Sequence, residues 1–454
     1  MTVHESSPAG APTARIAAFV SDRAAADLDG EVIEATRRSI LDTLAATYAG
    51  SRAQAGERML EYATDAPSGG GTIVGAETEI APEFAALVNG TTAHALDVDD
   101  GHRTASAHPG SAVVPAALGV AEREGASGED LITAVAVGYE AMLTTASAVQ
   151  TSHRERGFHA TATTGCFGAA AAVASLLDLD ERRSAHALGL AGTQAGGLFE
   201  FLEKGSMAKR FHPGRAAMAG VLAGDLAAVG FDGPDTIIEG EDGFATAFAD
   251  DYDFAPYDDL GDPWAVTERY LKPYPSCRHA HAPIEAAFEL RNRGVEPAAI
   301  DEVRVETYRS AAHHDKQAVE TLLDAQMSIP FAVAVALATG EAKLAQFDPD
   351  LMDDDTIREL VEAVTVVETE EMESSYPATR PARVVAETTD GDTQEATVRY
   401  PTGSPESPMS WVGLQEKFHD LAGTSLDEAP RERVVDLLGD LESLESTRTL
   451  TDAL

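Results

Sequence analysis

Three short stretches gather the residue types that do chemistry: DVDDGHRTASAHPG at 97–110, KRFHPGR at 209–215 and KPYPSCRHAH at 272–281. Each sets histidine among acidic or basic groups beside proline or glycine, the composition of a binding loop rather than a core. In the first, His94, Asp97, Asp99 and Asp100 lie at or just past the end of a helix expected over 81–96, with His102 and His108 close behind. Carboxylates packed against imidazoles shift one another's pKa values and so supply an acid and a base. The plainer alternative is an Asp-rich helix end with an ordinary loop. The HPG tripeptide argues against it, because proline and glycine fix the direction of the imidazole before them.

KRFHPGR brings Lys209, Arg210, His212 and Arg215 together, with Lys204 just upstream. Such a positive island suits a polycarboxylate, which arginine clamps with two hydrogen bonds and lysine meets as a point charge. Pairing with surface carboxylates is the alternative. KPYPSCRHAH repeats the pattern with Lys272, Arg278, His279 and His281. GFHATATTG at 157–165 places His159 in a turn before a helix expected near Cys166, where a helix N-terminus favours anions; a capping or core role is the alternative.

A divalent metal is the competing chemistry for the same side chains. Asp97, Asp99, His102 and His108 form one candidate ligand set; Cys277, His279, His281, His313 and His314 form another. The chain has no HExxH and no paired CxxC, so no metal is expected. It has no P-loop and no GxGxxG after a strand, so no nucleotide cofactor is expected either. Nothing marks Cys166 or Cys277 as half of a Cys–His nucleophile.

The background sharpens these signals. The formal charge is −43 and the pI about 4.4. Lysine occurs six times, at 204, 209, 272, 316, 343 and 417, so two of the six fall inside the stretches above. A carboxylate shell this dense reads as adaptation to high salt, which screens its self-repulsion. It argues against nucleic acid and anionic membrane as partners. Two cysteines make no disulfide framework, and the N-terminus lacks the pattern of a signal peptide. Apolar runs such as 166–177 are too short to span a bilayer. The expectation is a soluble cytoplasmic protein.

The elements that must position these residues change character along the chain. Residues 1–12 read as a flexible tail, and 13–265 as mostly helix, with apolar spacing of three and four over 29–49, 81–96, 128–150 and 166–177. After Trp264 alternation appears: 299–309 reads as a strand, and 380–391 with 392–400 as a hairpin meeting at a DGD turn. Helices expected near 282–292, 328–338 and 354–363 complete an α+β unit, and the segment from 401 returns to helix.

In this order the stretches resemble the methylcitrate dehydratase-like MmgE/PrpD family, which includes cis-aconitate decarboxylases and an iminodisuccinate epimerase. NGTTAHALDVDD, HPGSAVVPAAL, GFHATATTGCFGAAAA, KRFHPGRAA, KPYPSCRHAHAPIEA, DAQMSIPFAVAVAL and YPTGSPESPMSWVGLQEKF carry the likeness over nearly the whole chain. The resemblance implies a mainly α fold, with a large all-helical domain (13–265 with 401–454) and a smaller inserted α+β lid domain (266–400). It implies an active-site cleft between them, a homodimer, and no metal or organic cofactor. Carried over by position, the catalytic residues are Asp97, His108, His159, Lys209 and Lys272, with Arg210, Arg278 and His279 as substrate-binding candidates. Gly101 stands where a threonine often follows the paired aspartates of decarboxylase-like members, and the loop to His108 is one residue longer. Both features count mildly against cis-aconitate decarboxylation.

The expected activity is that of a cofactor-free hydro-lyase on a hydroxy-tricarboxylate such as 2-methylcitrate. That reaction needs a base, an acid for the leaving hydroxyl, and cations for developing carboxylate-enolate charge. His108 and His159 would be the acid–base pair, with their order left open, and Asp97 would orient or tune one of them. The rivals are decarboxylation of cis-aconitate, epimerisation of an imino- or amino-diacid, and a non-catalytic tricarboxylate-binding protein.

Overall fold

The structure, a computed structural model, describes residues 10–202 and 206–454. Lys204 and most of the expected N-terminal tail lie outside the described residues. The chain is mainly α and divides into two compact units, Met1–Arg269 with Ser410–Leu454, and Tyr270–Met409.

The first unit is built from long helices whose ends are set by local chemistry. Gly30–Ser51 starts where the Asp29 carboxylate accepts from the amides of Glu31 and Val32. Gly128–Val149 starts at a reciprocal Ser127–Asp130 capping box. Gly110–Glu124 ends on Gly125 in the left-handed conformation. Alanine-rich faces let these helices approach closely; Ala86, Ala116, Val120, Ala169, Val173, Ala217 and Val221 form one buried cluster.

One close approach matters for the site. Helices Pro82–Ala93 and Ala208–Ala228 cross where Gly90 meets Gly214. A Cβ on Gly214 would stand 2.2 Å from the Leu87 carbonyl oxygen, and one on Gly90 would stand 2.7 Å from the Gly214 Cα. Glycine at both positions lets the backbones touch.

The first unit corrects three expectations. It is not purely helical, since Gly71–Thr72 pairs antiparallel with Glu79–Ile80. KRFHPGR is not a loop but the start of helix Ala208–Ala228, which runs on through Pro213. A proline beyond the first helical turn removes a hydrogen bond and predicts a break; here the packing of Gly214 against Pro82–Ala93 outweighs it. Helix Gly128–Val149 is also long and apolar enough to cross a membrane, contrary to the reading that every apolar run is too short. The window that meets that criterion is 94% buried inside the protein.

The second unit is a four-stranded sheet carrying helices. Strand order is Val364–Glu368, Ile300–Thr307, Ala382–Thr388, Thr393–Val398. The first pair is parallel, in register Val303 to Val364, and the others are antiparallel. The expected strand and hairpin are present, while Val364–Glu368 was not foreseen. Alternation puts Val303, Val305, Val384 and Ala386 into the core with Ile284, Phe331 and Val335. These last three come from helices His281–Asn292 and Ile329–Thr339.

Candidate active site

The 97–110 stretch is a loop, but a buried one. Asp97, Asp99 and Asp100 are enclosed, so they are not a solvated helix end. Helix Pro82–Ala93 ends at His94, and the chain then turns through Asp97 in the left-handed region at φ 56°. Aspartate tolerates that region better than most residues. The turn aims the Asp97 carboxylate at Lys209, whose Nζ lies 3.1 Å from Oδ2. Arg210 donates from Nη1 to the His94 carbonyl oxygen at 3.3 Å.

Asp99 and Asp100 do different work. Asp99 Oδ2 accepts from His94 Nδ1 at 2.7 Å and lies 3.7 Å from His108 Nδ1. The Asp100 carboxylate accepts from the Gly110 amide at 2.9 Å and from the Tyr139 hydroxyl at 2.8 Å. Burial, then the neighbouring Asp42 charge, pushes its pKa up to about 7. A side chain on Gly110 would meet this carboxylate and Thr43, with Asp100 Oδ1 at 2.9 Å and Thr43 Oγ1 at 2.4 Å. The glycine of the first HPG is therefore fixed by sterics.

The Asp100 backbone oxygen settles the tautomer of His108. His108 Nδ1 lies 2.6 Å from it. A carbonyl only accepts, so Nδ1 carries the hydrogen and the neutral ring keeps its lone pair on Nε2. The His108 side chain is 16% exposed, against 0% for His94.

Further imidazoles complete an array. His159 sits at the N-cap position of the short helix Ala160–Thr163, and its Nδ1 lies 2.9 Å from His212 Nδ1, so one donates and the other accepts. Phe199 and Phe201 wall the His159 ring edge-on. Ring centroids run His212 to His159 at 5.2 Å, His159 to His94 at 6.1 Å and His94 to His108 at 4.9 Å. Burial, reinforced by neighbouring cationic groups, holds His159 well below the usual histidine range and His212 at about 4. At neutral pH both rings are uncharged.

A buried lysine supports this loop. Lys417, from helix Trp411–Ala422, pairs with Asp42 and donates to the Val98 carbonyl oxygen at 2.8 Å. Sequence reading passed over Lys417, although its rarity was a signal. Asp42 and Tyr139 gave none, being single polar residues within long helices.

In the second unit Lys272 is 1% exposed. Arg278 is committed to the backbone: it donates to the carbonyl oxygens of Thr402 and Pro401, both at 3.0 Å, and to the Ser404 hydroxyl at 2.7 Å. It also stacks over Tyr270. His279 Nδ1 bonds the Tyr308 hydroxyl at 2.5 Å, and its ring stacks on His314.

Two trios have metal-compatible donors within 4.8 Å of one another: His94, Asp99 and His108, and Cys277, His279 and His314. Among the described residues, His102, His281 and His313 join neither, unlike the ligand sets considered from sequence. Cys166 is buried, and burial raises its thiol pKa, which suits an inert core cysteine.

This fold and site define a member of the MmgE/PrpD family, to which the chain belongs. Residues 14–256 match the MmgE/PrpD N-terminal domain and 274–442 the MmgE/PrpD C-terminal domain. Among curated proteins the chain is 29% identical to the cis-aconitate decarboxylase-like protein oryM of Aspergillus oryzae, over 98% of this chain and 97% of the relative. It is 29% identical to the cis-aconitate decarboxylase of Aspergillus terreus, over 97% and 95%. The human cis-aconitate decarboxylase is 27% identical, over 94% and 91%.

Proposed function

We propose that the protein is a cofactor-independent lyase acting on a small tricarboxylate, and that its reaction is dehydration of 2-methylcitrate or a close hydroxy acid. The observation that carries this reading is the buried imidazole array beside Lys209, with His108 presenting a basic Nε2. The C–H bond next to a carboxylate breaks and its proton passes to His108 Nε2. The electron pair forms the C=C bond, and the C–O bond breaks. The hydroxyl leaves as water, on a proton from the His159 imidazolium. His159 is neutral at rest, and a bound trianion favours its charged form. Asp99 stabilises the His108 imidazolium, and Lys209 holds developing enolate charge. Lys272 keeps its proposed role toward a substrate carboxylate. Arg278 is released from it, because its donors hold the 401–404 backbone.

Decarboxylation of cis-aconitate is the second reading, favoured by the names of the relatives. There the C–C bond to a carboxylate breaks, carbon dioxide leaves, and the same imidazolium protonates the carbanion. The lone pair on His108 Nε2 favours the reaction that needs a base.

NMR of the purified protein in molar KCl with chelator, given 2-methylcitrate, citrate and cis-aconitate separately, tests the choice. Alkene from a hydroxy acid supports dehydration. Itaconate from cis-aconitate moves the enzyme to the second reading, and no turnover of any of the three sinks both.

A further inference from the structure

The array contains a ring nitrogen with no hydrogen-bond partner among the described residues. His94 is fully buried, and its Nδ1 faces the Asp99 carboxylate at 2.7 Å. A carboxylate accepts, so Nδ1 bears the hydrogen and Nε2 keeps a lone pair. Among the described residues that Nε2 has no hydrogen-bond partner. A buried acceptor left unpaired is unfavourable, and such a group in a folded protein needs a reason. The residue is also well fixed, since Arg210 holds the His94 carbonyl oxygen while Asp99 holds the Nδ1 edge of the imidazole. It stands between His108 and His159, the two rings assigned to proton transfer.

We infer that His94 Nε2 accepts a hydrogen bond from the substrate hydroxyl, making His94 the residue that selects hydroxy acids over analogues lacking that group. The inference rests on the lyase reading above and narrows its substrate class. A carboxylate oxygen has no hydrogen to give an unprotonated Nε2; a hydroxyl has one. A site built to bond a hydroxyl rejects the analogue without it far more strongly than an apolar pocket rejects a missing methylene. A substrate with no hydroxyl, such as cis-aconitate, would leave Nε2 unpaired. Asp99 acts here as a positioning residue, because its bond to Nδ1 keeps the lone pair on the opposite side of the ring.

The test is calorimetric binding of citrate and of tricarballylate, its hydroxyl-free analogue, to wild type, His94→Asn and His94→Gln, with turnover followed by NMR in parallel. Asparagine keeps a donor for Asp99 and removes the Nε2 acceptor. Glutamine places an amide oxygen near the Nε2 position. We expect wild type to prefer citrate at least about tenfold. His94→Asn should lose that preference with tricarballylate affinity unchanged, and His94→Gln should recover part of it. Equal affinities in wild type, a preference that survives in His94→Asn, or no binding of either ligand overturns the inference. If the preference behaves as expected while no substrate turns over, the hydroxyl contact stands and the lyase reading falls. If substrate turns over while the preference survives in His94→Asn, the lyase reading stands and the hydroxyl contact falls.

Discussion

Lys209 Nζ and Asp97 Oδ2 stand 3.1 Å apart with their side chains only 10% and 3% exposed. Little water screens this pair, so removing one partner unbalances the charge of an enclosed site. Lys209→Met should destabilise the protein by about 3–5 kcal/mol. The double variant with Asp97→Asn should recover much of that loss. Urea midpoints in molar KCl for the two singles and the double measure it, and additive losses would mean that the two charges do not depend on each other.

His108 is held through its backbone amide, which donates to Thr161 Oγ1 at 3.1 Å, and through Nδ1. The side chain is 16% exposed, and the amide hydrogen bond to Thr161 survives its truncation. His108→Ala should therefore reduce turnover by roughly 10²–10⁴-fold, the range for a lost acid–base group, with the unfolding midpoint nearly unchanged. A near-native rate would remove His108 from the mechanism.

Substrate binding should take up protons. His159 and His212 rest uncharged at neutral pH, and a polyanion beside them favours the imidazolium. Calorimetry at pH 7 in buffers of different ionisation enthalpy should show net uptake on citrate binding, reduced in His159→Gln. Zero uptake or release would contradict charging of these rings by the bound polyanion.

The Asp100 carboxyl titrates near 7 in the folded protein against 3.8 when free. The folded state thus holds this proton more tightly. Its stabilising contribution is complete below 3.8 and is lost as pH rises through 7. Asparagine resembles the protonated acid and offers the same acceptor to the Gly110 amide. Asp100→Asn should match wild type near pH 4 and exceed it above pH 7 by on the order of 4 kcal/mol. Urea titrations across that interval check the sign, and a constant difference at all pH values would refute it.

Much of this was legible in the sequence wherever the signal is local. Alternation over 299–309 marks the strand Ile300–Thr307, and the DGD turn marks the hairpin that follows. The histidine and lysine stretches stand out against an alanine-rich, lysine-poor background. What depends on distant partners was not legible. Val364–Glu368 is a short strand whose parallel neighbour lies some sixty residues away. Pro213 signals a break that the Gly90–Gly214 crossing overrides. The Asp100–Tyr139 and Asp42–Lys417 contacts join side chains 39 and 375 positions apart, which no window on the chain can pair.

That last contact has a consequence for how the protein is made. Lys417 grips the Val98 carbonyl and Asp42, so the loop bearing Asp97, Asp99 and Asp100 lacks its prop until the C-terminal helices have left the ribosome. A nascent chain stalled before residue 417 would carry every imidazole of the array and still lack the brace beneath it. The support of this loop is thus completed by a residue made long after the imidazoles it steadies.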